Sequence, residues 1–343
     1  MAQTDTSDRG AVLVTGGAGY IGSHTAKALA ERGWRPVVFD NLSSGRKDMV
    51  RWGDLVVGDV RDREALRAAM TEHQVKGVIH FAGLIEVGRS VSWPDLFYDH
   101  NVTGTAAVLA AMNACGVPRL VFSSSAAVYG DVQSAVSGAA IPEDAVKGPA
   151  SPYGETKLVG EWMIQANGRA FGLEAVALRY FNAAGADASG LLGEGHEPET
   201  HLIPLAIEAA LGVRKELTVF GQDFDTPDGS CIRDYIHVTD LARAHVAALE
   251  GPMAAGEFLP MNVGTGRGHS VLEVLGAVDA AIGQATPYRI GDRRAGDPAI
   301  RRAWWRMQAG FARGWVGCPS TLISAGSSPP PWPGADRRCS SRR

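Results

Sequence analysis

Short apolar runs alternate with longer amphipathic stretches over the first half of the chain. The apolar runs are three to seven residues long and lie at residues 11–15, 36–40, 55–57, 77–83, 119–123 and 174–180. Between them, the stretches that end at Gly33, run from Arg61 to Glu72 and run from Asp95 to Cys115 have the character of helices. This alternation predicts an α/β protein whose strands form one buried parallel sheet with helices on its faces.

A glycine-rich turn, GGAGYIG, joins the first predicted strand to the first predicted helix. Gly16, Gly19 and Gly22 suit a tight turn, a close approach to a pyrophosphate and close packing of helix on strand, respectively. Asp40 ends the second predicted strand 18 residues beyond Gly22. An acidic side chain there accepts hydrogen bonds from the adenosine ribose and repels a 2′-phosphate. The order of these features predicts a Rossmann-type doubly wound sheet that binds NAD rather than NADP.

Other polar or small residues stand where predicted strands end. Ligands of a doubly wound sheet bind outside the carboxyl ends of its strands, so residues at those ends are expected to converge. The residues concerned, besides the glycine turn, are Asp40, Asp59, Ala82, Gly83 and Ser125.

A tyrosine and a lysine four residues apart, Tyr153 and Lys157, lie in the segment SPYGETK. Residues at this spacing share one face of a helix, so both side chains can point into one site. A neighbouring ammonium favours phenolate over phenol, so we expect Lys157 to lower the pKa of Tyr153 toward neutrality. A tyrosine with such a pKa acts as a general base.

The pattern loosens beyond Asn182, where residues 183–200 and 221–230 are rich in Gly, Asp and Pro. This composition predicts a smaller α/β domain over the nucleotide-binding sheet. The segment Arg233–His237 is predicted to be a strand that returns to the main domain. Helices are predicted from Thr239 to Leu249, with Thr239 as the cap, and from Ser270 to about Ile282.

Composition excludes several classes of function. A net charge of −4 gives no sign of a nucleic-acid-binding surface, and no apolar run approaches the length of a membrane span. The first ten residues are polar, predicted to be flexible, and lack the apolar core of a secretion signal. Four cysteines stand without CxxC or CxH spacing, so we expect neither disulfides nor a metal site. A reducing cytoplasm is the expected location.

Nine segments together carry a resemblance to a known family. They are VTGGAGYIGSHT, FDNLSSG, VIHFAG, VFSSSAAVYG, SPYGETK, LRYFNAAGA, THLIP, DGSCIRDYIHV and RRAGDP. Through them, residues 11–299 resemble the UDP-glucose 4-epimerases of the extended short-chain dehydrogenase/reductase superfamily. The glycine motif is shared across that superfamily, whereas the set from RYFN to RRAGDP is much narrower. Dehydratase and decarboxylase relatives usually carry an acidic residue near the position of Ser125, and this chain has Ser125-Ala126-Ala127.

The resemblance implies a reversible 4-epimerisation of UDP-glucose and UDP-galactose through a 4-keto sugar, with tightly held NAD. Tyr153 would remove the proton of the sugar 4-hydroxyl, Lys157 would hold the nicotinamide ribose, and Ser125 would hydrogen-bond the reacting oxygen. Residues 11–181, with 234–265 returning to them, would bind NAD. Residues 182–299 would mainly bind the nucleotide sugar, and the chain would form a homodimer through a helical bundle built from Asp95–Cys115 and the Tyr153 helix.

The resemblance also implies two sets of ligand-binding residues. The cofactor set is Gly16, Gly19, Tyr20, Ile21, Gly22, Asp40, Asn41, Asp59, Val60, Phe81, Ala82, Gly83, Asn101, Tyr153, Lys157 and Phe181. The substrate set is Ser125, Asn182, His201, Leu202, Thr218, Val219, Phe220, Arg233 and Arg294. Two arginines in the second set suit a pyrophosphate, because guanidinium binds phosphate oxygens in pairs. For Arg233 the alternative is a salt bridge with Asp234 or Asp228.

Departures from the family pattern leave alternatives open. Ile85 stands where many relatives carry a lysine near the cofactor, and Ala127 stands where relatives often carry a threonine. The residue whose size helps set sugar specificity would be Arg301, inside an atypical stretch. The alternatives are a UDP-N-acetylhexosamine or UDP-pentose 4-epimerase and a catalytically impaired NAD-binding protein.

The stretch 300–343 breaks the character of the chain. It holds eight Arg, one Asp and four of the eight Trp, and shows no helical or strand period. One interpretation is a basic, disordered Pro/Ser/Arg tail. The other is a frameshift, because a reading two nucleotides later permits the LVAD and LGW-x-P patterns that relatives carry. Trp304 before Trp305 dictates Val in that frame, and Trp315 before Val316 dictates the Gly of LGW.

Overall fold

A computed structural model describes residues 9–130, 141–196 and 198–293. The predicted flexible N-terminus, apart from its last two residues, lies outside the described residues. The same is true of Arg294 and of the stretch 300–343.

Seven strands form the main sheet, and every neighbouring pair in it is parallel. Their order across the sheet is β10-β6-β5-β4-β1-β2-β3. The strand order changes direction at β1, because β4 lies on one side of it and β2 on the other. A doubly wound sheet binds its ligands in the crevice at this point. The strands are β1 (Ala11–Thr15), β2 (Arg35–Asp40), β3 (Asp54–Val57), β4 (Val75–His80), β5 (Arg119–Ser125), β6 (Glu174–Tyr180) and β10 (Phe258–Val263). The predicted Rossmann-type α/β fold is confirmed.

Helices cover both faces of this sheet. One apolar core joins the sheet to α2 (Arg63–Glu72), α5 (Gly104–Cys115) and α6 (Pro152–Phe171). A second core on the other face joins it to α1 (Tyr20–Glu31) and α8 (Val238–Glu250). Because strands covered on both faces must be apolar throughout, the six predicted runs contain few charges.

The predicted helix from Asp95 to Cys115 is interrupted. Two short helices, α3 (Val87–Ser92) and α4 (Pro94–Phe97), precede a π-helical segment, Tyr98–Thr103, that continues into α5. Such widened turns are often found at functional sites, because they reorient side chains. Here the segment contains Asn101, which is buried.

Two smaller sheets are formed by strands that follow β6 in the chain. A three-stranded sheet has the order β11-β9-β7, made of β7 (Asn182–Ala184), β9 (Ile232–His237) and β11 (Gly268–Ser270). A parallel pair joins β8 (Leu217–Phe220) to β12 (Tyr288–Gly291). With α7 (Leu202–Ala210) and α9 (Val271–Ile282), this pair encloses its own apolar core.

The predicted strand Arg233–His237 lies outside the main sheet. This segment is a strand, β9, but it pairs with β7 and β11. The chain returns through α8, and β10 takes the place beside β6. The physical reason is the pattern of the strand: Arg233, Asp234 and His237 make β9 too polar to be covered on both faces.

Two predicted helix caps have different outcomes. Ser270 caps α9 in a capping box with Glu273, as the sequence predicts. Thr239 does not cap α8, because the helix begins one residue earlier and its cap is His237. The imidazole of His237 accepts a hydrogen bond from the backbone N–H of Thr239 at 3.3 Å.

Candidate active site

The glycine turn lies between β1 and α1. Gly16 has a φ of +70°, and a Cβ atom there would lie 2.7 Å from the backbone nitrogen of Ala82. A Cβ atom on Gly22 would lie 2.3 Å from the carbonyl oxygen of Gly16, so helix and turn touch. A Cβ atom on Gly19 would meet only the oxygen of Gly16, at 3.3 Å. Gly19 therefore leaves room at the N-terminus of α1, where backbone N–H groups favour a phosphate.

Asp40 ends β2 beside this turn. Its carboxylate accepts hydrogen bonds from the backbone N–H of Ala18 at 3.0 Å and of Leu42 at 2.8 Å. Burial raises the pKa of Asp40, and these two hydrogen bonds oppose the rise. Because each carboxylate oxygen has two lone pairs, both can still accept a bond from a sugar hydroxyl. The turn and Asp40 together fit the pyrophosphate and ribose of NAD.

Asp59 follows β3, and its carboxylate already has partners among the side chains of the protein. Its carboxylate pairs with Arg61 at 2.7 Å, and Asn41 also hydrogen-bonds it. The hydrogen bond from Arg61 holds the pKa of Asp59 well below its usual range. Asp59 is therefore an ionised group that keeps the ends of β2 and β3 together.

Asn101 holds the loop that follows β4. Its side-chain oxygen accepts from the N–H of Leu84 at 2.8 Å, and its NH₂ donates to the carbonyl of Leu84 at 3.1 Å. The same NH₂ donates to Thr156 on α6 at 3.0 Å. A Cβ atom on Gly83 would lie 2.9 Å from the Asn101 oxygen, so the loop has no room for a larger residue. Asn101 thus connects the loop to the helix that carries Tyr153.

The remaining cofactor candidates pack around this edge of the sheet. The hydroxyl of Tyr20 donates to the carbonyl of Gly185 at 2.6 Å, and Ile21 packs on the core beneath α1. Phe81 packs against His245 with 4.6 Å between ring centroids and 48° between the ring planes. Val60 packs against the start of α5, and Phe181 packs beside the turn that follows Ser125.

Ser125, Tyr153 and Lys157 come together at the end of β5. Ser151 caps α6 by accepting the N–H of Gly154 at 3.3 Å, so Tyr153 lies in the first turn. The hydroxyls of Ser125 and Tyr153 are hydrogen-bonded. The ammonium of Lys157 lies 5.8 Å from the centroid of the Tyr153 ring and donates to the carbonyl of Ser123 at 2.8 Å. The predicted common face for the tyrosine and the lysine is present.

The expected effect of Lys157 on Tyr153 is not what the structure shows. Burial raises the pKa of Tyr153, and the hydrogen bond with Ser125 opposes that rise. Burial also lowers the pKa of Lys157 to about 8. Both shifts have one cause, the loss of water around the charged form. The serine, rather than the lysine, is the neighbour that favours the phenolate here.

The substrate candidates lie on the smaller elements. Asn182, on β7, donates from its NH₂ to the carbonyl of Asp234 at 3.0 Å. Arg233 donates to the carbonyl of Ile232 at 3.1 Å and also to the sulfur of Cys231. The carboxylate of Asp234 accepts from Thr265 and Gly266, and that of Asp228 accepts from Ser230 and Ser270. These hydrogen bonds to the two carboxylates come from groups other than Arg233.

The strand β8 presents its three candidates differently. Val219 is buried in the core between α7 and α9, so its side chain is closed to a ligand. Thr218 is half-buried and Phe220 is exposed at the end of the strand. Leu202 is the first residue of α7, directly after His201.

Two acids that no sequence pattern marks, Glu194 and Glu199, surround His201. The imidazole lies 2.8 Å from the carboxylate of Glu199 and 3.7 Å from that of Glu194. Burial lowers the pKa of His201, but the hydrogen bond with Glu199 and the two acidic charges outweigh it, so the pKa is raised. One possible ligand atom from each of Glu194, Glu199 and His201 lies within 4.8 Å of the other two, which is close enough for all three to bind one metal ion. No Cys or His spacing marks this group, because its acids come from an aperiodic loop.

Comparison with known proteins agrees with this arrangement. Residues 12–264 match the NAD dependent epimerase/dehydratase family. The chain belongs to that family, which is the class that the sheet, the glycine turn and the Ser-Tyr-Lys cluster define. Within the part of the chain that the structure describes, no helix has the length and apolar character needed to cross a membrane.

Individual relatives within this family are similar to the chain over most of its length. The chain is 50% identical over 288 residues to the UDP-glucose 4-epimerase of Rhizobium meliloti, covering 83% of this chain and 86% of the relative. It is similar to the crystal structure of UDP-glucose 4-epimerase from Brucella ovis in complex with NAD, with a TM-score of 0.81, 48% identity, and coverage of 88% and 91%. It is also similar to the enzyme from Bifidobacterium longum in complex with NAD+ and UDP, with a TM-score of 0.80, 38% identity, and coverage of 87% and 93%.

Proposed function

We propose that the chain is a UDP-glucose 4-epimerase that interconverts UDP-glucose and UDP-galactose through a 4-keto sugar, using NAD that stays bound. The observation that carries the proposal is the hydrogen-bonded pair Ser125 and Tyr153, with Lys157 one helical turn further on. This cluster and the glycine turn both lie at the carboxyl end of the main sheet. The names of the relatives at 48–50% identity support the choice of substrate.

Bound NAD supplies the reversible hydride acceptor that a 4-hydroxyl oxidation needs. Gly16, Gly19 and Gly22 fit its pyrophosphate, and Asp40 fits its adenosine ribose and disfavours a 2′-phosphate. Lys157 would hold the nicotinamide ribose. Asn101 would hold the Gly83 loop against the cofactor rather than bind it directly, since its polar atoms are already bonded.

Tyr153 would act as the base and then as the acid. In its phenolate form, Tyr153 takes the proton of the sugar 4-hydroxyl when the carbon is oxidised, and the resulting phenol returns that proton when the carbon is reduced on its opposite face. Ser125 hydrogen-bonds the same sugar oxygen and keeps Tyr153 oriented. The low pKa of Lys157 places its proton within reach of neutral pH, so the cluster can exchange protons without a large cost.

Affinity must come from the uridine diphosphate, because the sugar has to bind in two orientations. We assign the binding of uridine diphosphate to residues 182–299, the smaller domain that the sequence predicts. Within this domain, Asn182 and Arg233 lie on neighbouring strands. His201 is the residue directly before α7, which begins at Leu202. Arg233 provides positive charge for a pyrophosphate. The charge of His201 is already paired with Glu199, so His201 would contribute a hydrogen bond rather than net charge. Arg294 would add a second guanidinium and lies outside the described residues.

We infer a homodimer that uses the faces of α5 and α6. A groove between these helices is lined by small and apolar side chains, and Asn113 donates across it to Asn167 at 2.7 Å. On α6 the large side chain of Trp162 is 58% exposed. Exposed apolar faces of this kind are typical of an interface between subunits. A cytoplasmic location agrees with a reaction on UDP-sugars.

Turnover of UDP-galactose by the purified protein without added NAD tests the function. Conversion to UDP-glucose supports it, provided that Tyr153→Phe abolishes most of the rate. The N-acetylhexosamine analogue is assayed beside it, because faster turnover of that analogue would favour the alternative specificity. A protein that binds NAD and converts neither sugar would be the catalytically impaired alternative.

A further inference from the structure

We propose that the buried ion pair Glu161–Arg179 is a positioning device that holds Ser125 and Tyr153 in reacting geometry. The inference rests on the proposed function, because the positions it concerns are those of the proposed acid–base pair. Neither Glu161 nor Arg179 touches the reacting atoms in this scheme. They act through Ser124 and Tyr129, which lie on either side of Ser125 in the chain.

The first observation is the spacing along α6. Tyr153, Lys157 and Glu161 stand four residues apart, so they share one face of the helix. The first two side chains reach the end of β5. The third is directed at the sheet, where its carboxylate forms a two-point ion pair with Arg179. The nitrogen–oxygen distances are 2.8 and 2.5 Å, and both side chains are about 97% buried or more.

The second observation is the register of the sheet. Ser124 on β5 and Asn262 on β10 are the direct neighbours of Arg179 on β6. The hydroxyl of Ser124 donates to Glu161 at 2.5 Å, on the same oxygen that accepts from Arg179. One carboxylate on the catalytic helix therefore holds the ends of two strands, and Ser125 is the next residue of one of them.

The third observation concerns the chain after Ser125. Residues Ala126–Tyr129 form a single 3₁₀ turn, and Tyr129 is buried at its end. Arg179 donates to the hydroxyl of Tyr129 at 2.7 Å, and that hydroxyl donates to Asn262 at 2.7 Å. The guanidinium also lies 5.1 Å from the centroid of the Tyr129 ring. The residue before Ser125 and the residue four after it are both fixed to the same ion pair.

A role in stability alone is a poor explanation for this arrangement. Taking two charges out of water costs free energy that their attraction rarely exceeds, and apolar pairs of similar volume are often equally stable. What an apolar pair lacks is the set of directed hydrogen bonds to Ser124 and Tyr129. The difference between the two roles is therefore measurable: an apolar replacement should keep the stability and lose the geometry.

The test is the double variant Glu161→Leu/Arg179→Met in the full chain with its bound NAD. We expect an unchanged melting temperature, a KM for UDP-galactose within about twofold of the parent, and a kcat lowered about tenfold or more, the scale of a sub-ångström to ångström misplacement. Unchanged KM is expected because the uridine-binding residues lie elsewhere. A double variant with the parent's melting temperature and the parent's kcat would overturn the proposal.

Two single variants decide the case if the double variant does not fold. Ser124→Ala and Tyr129→Phe each remove one hydroxyl and leave the ion pair in place. The matched control is Ser90→Ala, which removes another buried hydroxyl, one that donates to the carbonyl of Val87 at 2.6 Å on α3. We expect kcat to fall in the first two variants and not in the control. Parental kcat in both Ser124→Ala and Tyr129→Phe would contradict the proposal.

A readout without turnover separates this inference from the proposed function. The ionisation of Tyr153 is followed by tyrosinate absorbance, as the difference between each protein and its Tyr153→Phe derivative. Loosening the Ser125–Tyr153 hydrogen bond should raise the midpoint of that titration in Ser124→Ala. If the parent converts no UDP-sugar, the proposed function fails, while this midpoint still reports on the ion pair. An unshifted midpoint in both single variants would count against the positioning role.

Discussion

Lys157 directs its ammonium at the carbonyl oxygen of Ser123, with the nitrogen 2.8 Å from the oxygen. The bond joins the catalytic helix to β5 two residues before Ser125, so the lysine has a structural partner besides its proposed cofactor. The same bond holds the ammonium of Lys157 in a buried position. Burial lowers the pKa of Lys157 from the ordinary 10.5 to about 8.

Lys157→Met should change how stability depends on pH. Between pH values of about 8 and 10.5 the unfolded parent binds more protons than the folded parent, so its unfolding free energy rises with pH in that window. The rise is at most about 3 kcal/mol and disappears in the variant. Denaturant unfolding at several pH values measures it, with Lys215→Met, at an exposed position, as the control. A parent whose stability is flat across the window contradicts the prediction.

Tyr153→Phe should separate binding from chemistry. The variant keeps the ring in its place and removes the hydroxyl that bonds Ser125. Turnover of UDP-galactose should fall by about 10²–10⁴-fold, the usual contribution of a general acid–base group. The affinity for UDP should be retained, because the uridine-binding residues lie on other elements. Calorimetric titration with UDP measures the affinity, and an unchanged turnover rate would mean that the acid–base group is another residue.

The cofactor can be identified after denaturation. The hydride must return to the sugar from which it came, so NAD should stay bound through turnover. Denatured protein should release NAD or NADH in near-stoichiometric amount and no NADP. Asp40→Asn should reduce the preference for NAD in reconstituted protein, because it removes the charge that repels a 2′-phosphate. The matched control is Asp54→Asn, an exposed acid at the start of β3. A parent that carries NADP would falsify the assignment of Asp40.

Much of the fold was predictable from local patterns. The strands β1, β5 and β6 lie where apolar runs predict them, because strands covered on both faces need apolar residues throughout. The glycine turn was predictable for a different reason. Its backbone conformation and its contacts exclude larger side chains at Gly16 and Gly22, so the sequence records the geometry directly.

The features that were not predicted depend on contacts between distant parts of the chain. Glu161 and Arg179 pair across 18 residues, and Arg179 reaches Tyr129 across 50, so no local period reveals them. The place of β9 in a separate sheet depends on which strand packs best beside β6. The balance of pKa shifts at Tyr153 depends on burial, which a single motif does not contain.

The frameshift interpretation of residues 300–343 stays a prediction, since that stretch lies outside the described residues. In the alternative frame, Met307 before Gln308 dictates Ala, and Trp305 dictates Ala when Arg306 has a CGN codon, which leaves little choice of codons at these points of the family pattern. Sequencing the gene across codons 297–305 decides it. A second frame that encodes no LVAD-to-LGW pattern would end the idea, and the basic tail would then be genuine.

Restoring that frame should raise activity and melting temperature together. The last described strand, β12, exposes Tyr288 and Ile290 by 46% and 41%, and Leu211 and Val213, just beyond α7, are also exposed. Large apolar side chains exposed in this way are a cost that a covering segment removes. We therefore expect the restored chain to melt at a higher temperature and to have a lower KM for UDP-galactose. A chain that ends at residue 299 is the control, because it separates the gain of the restored segment from the removal of the present one. If the restored chain gains in neither property over this control, the frameshift interpretation loses its functional support.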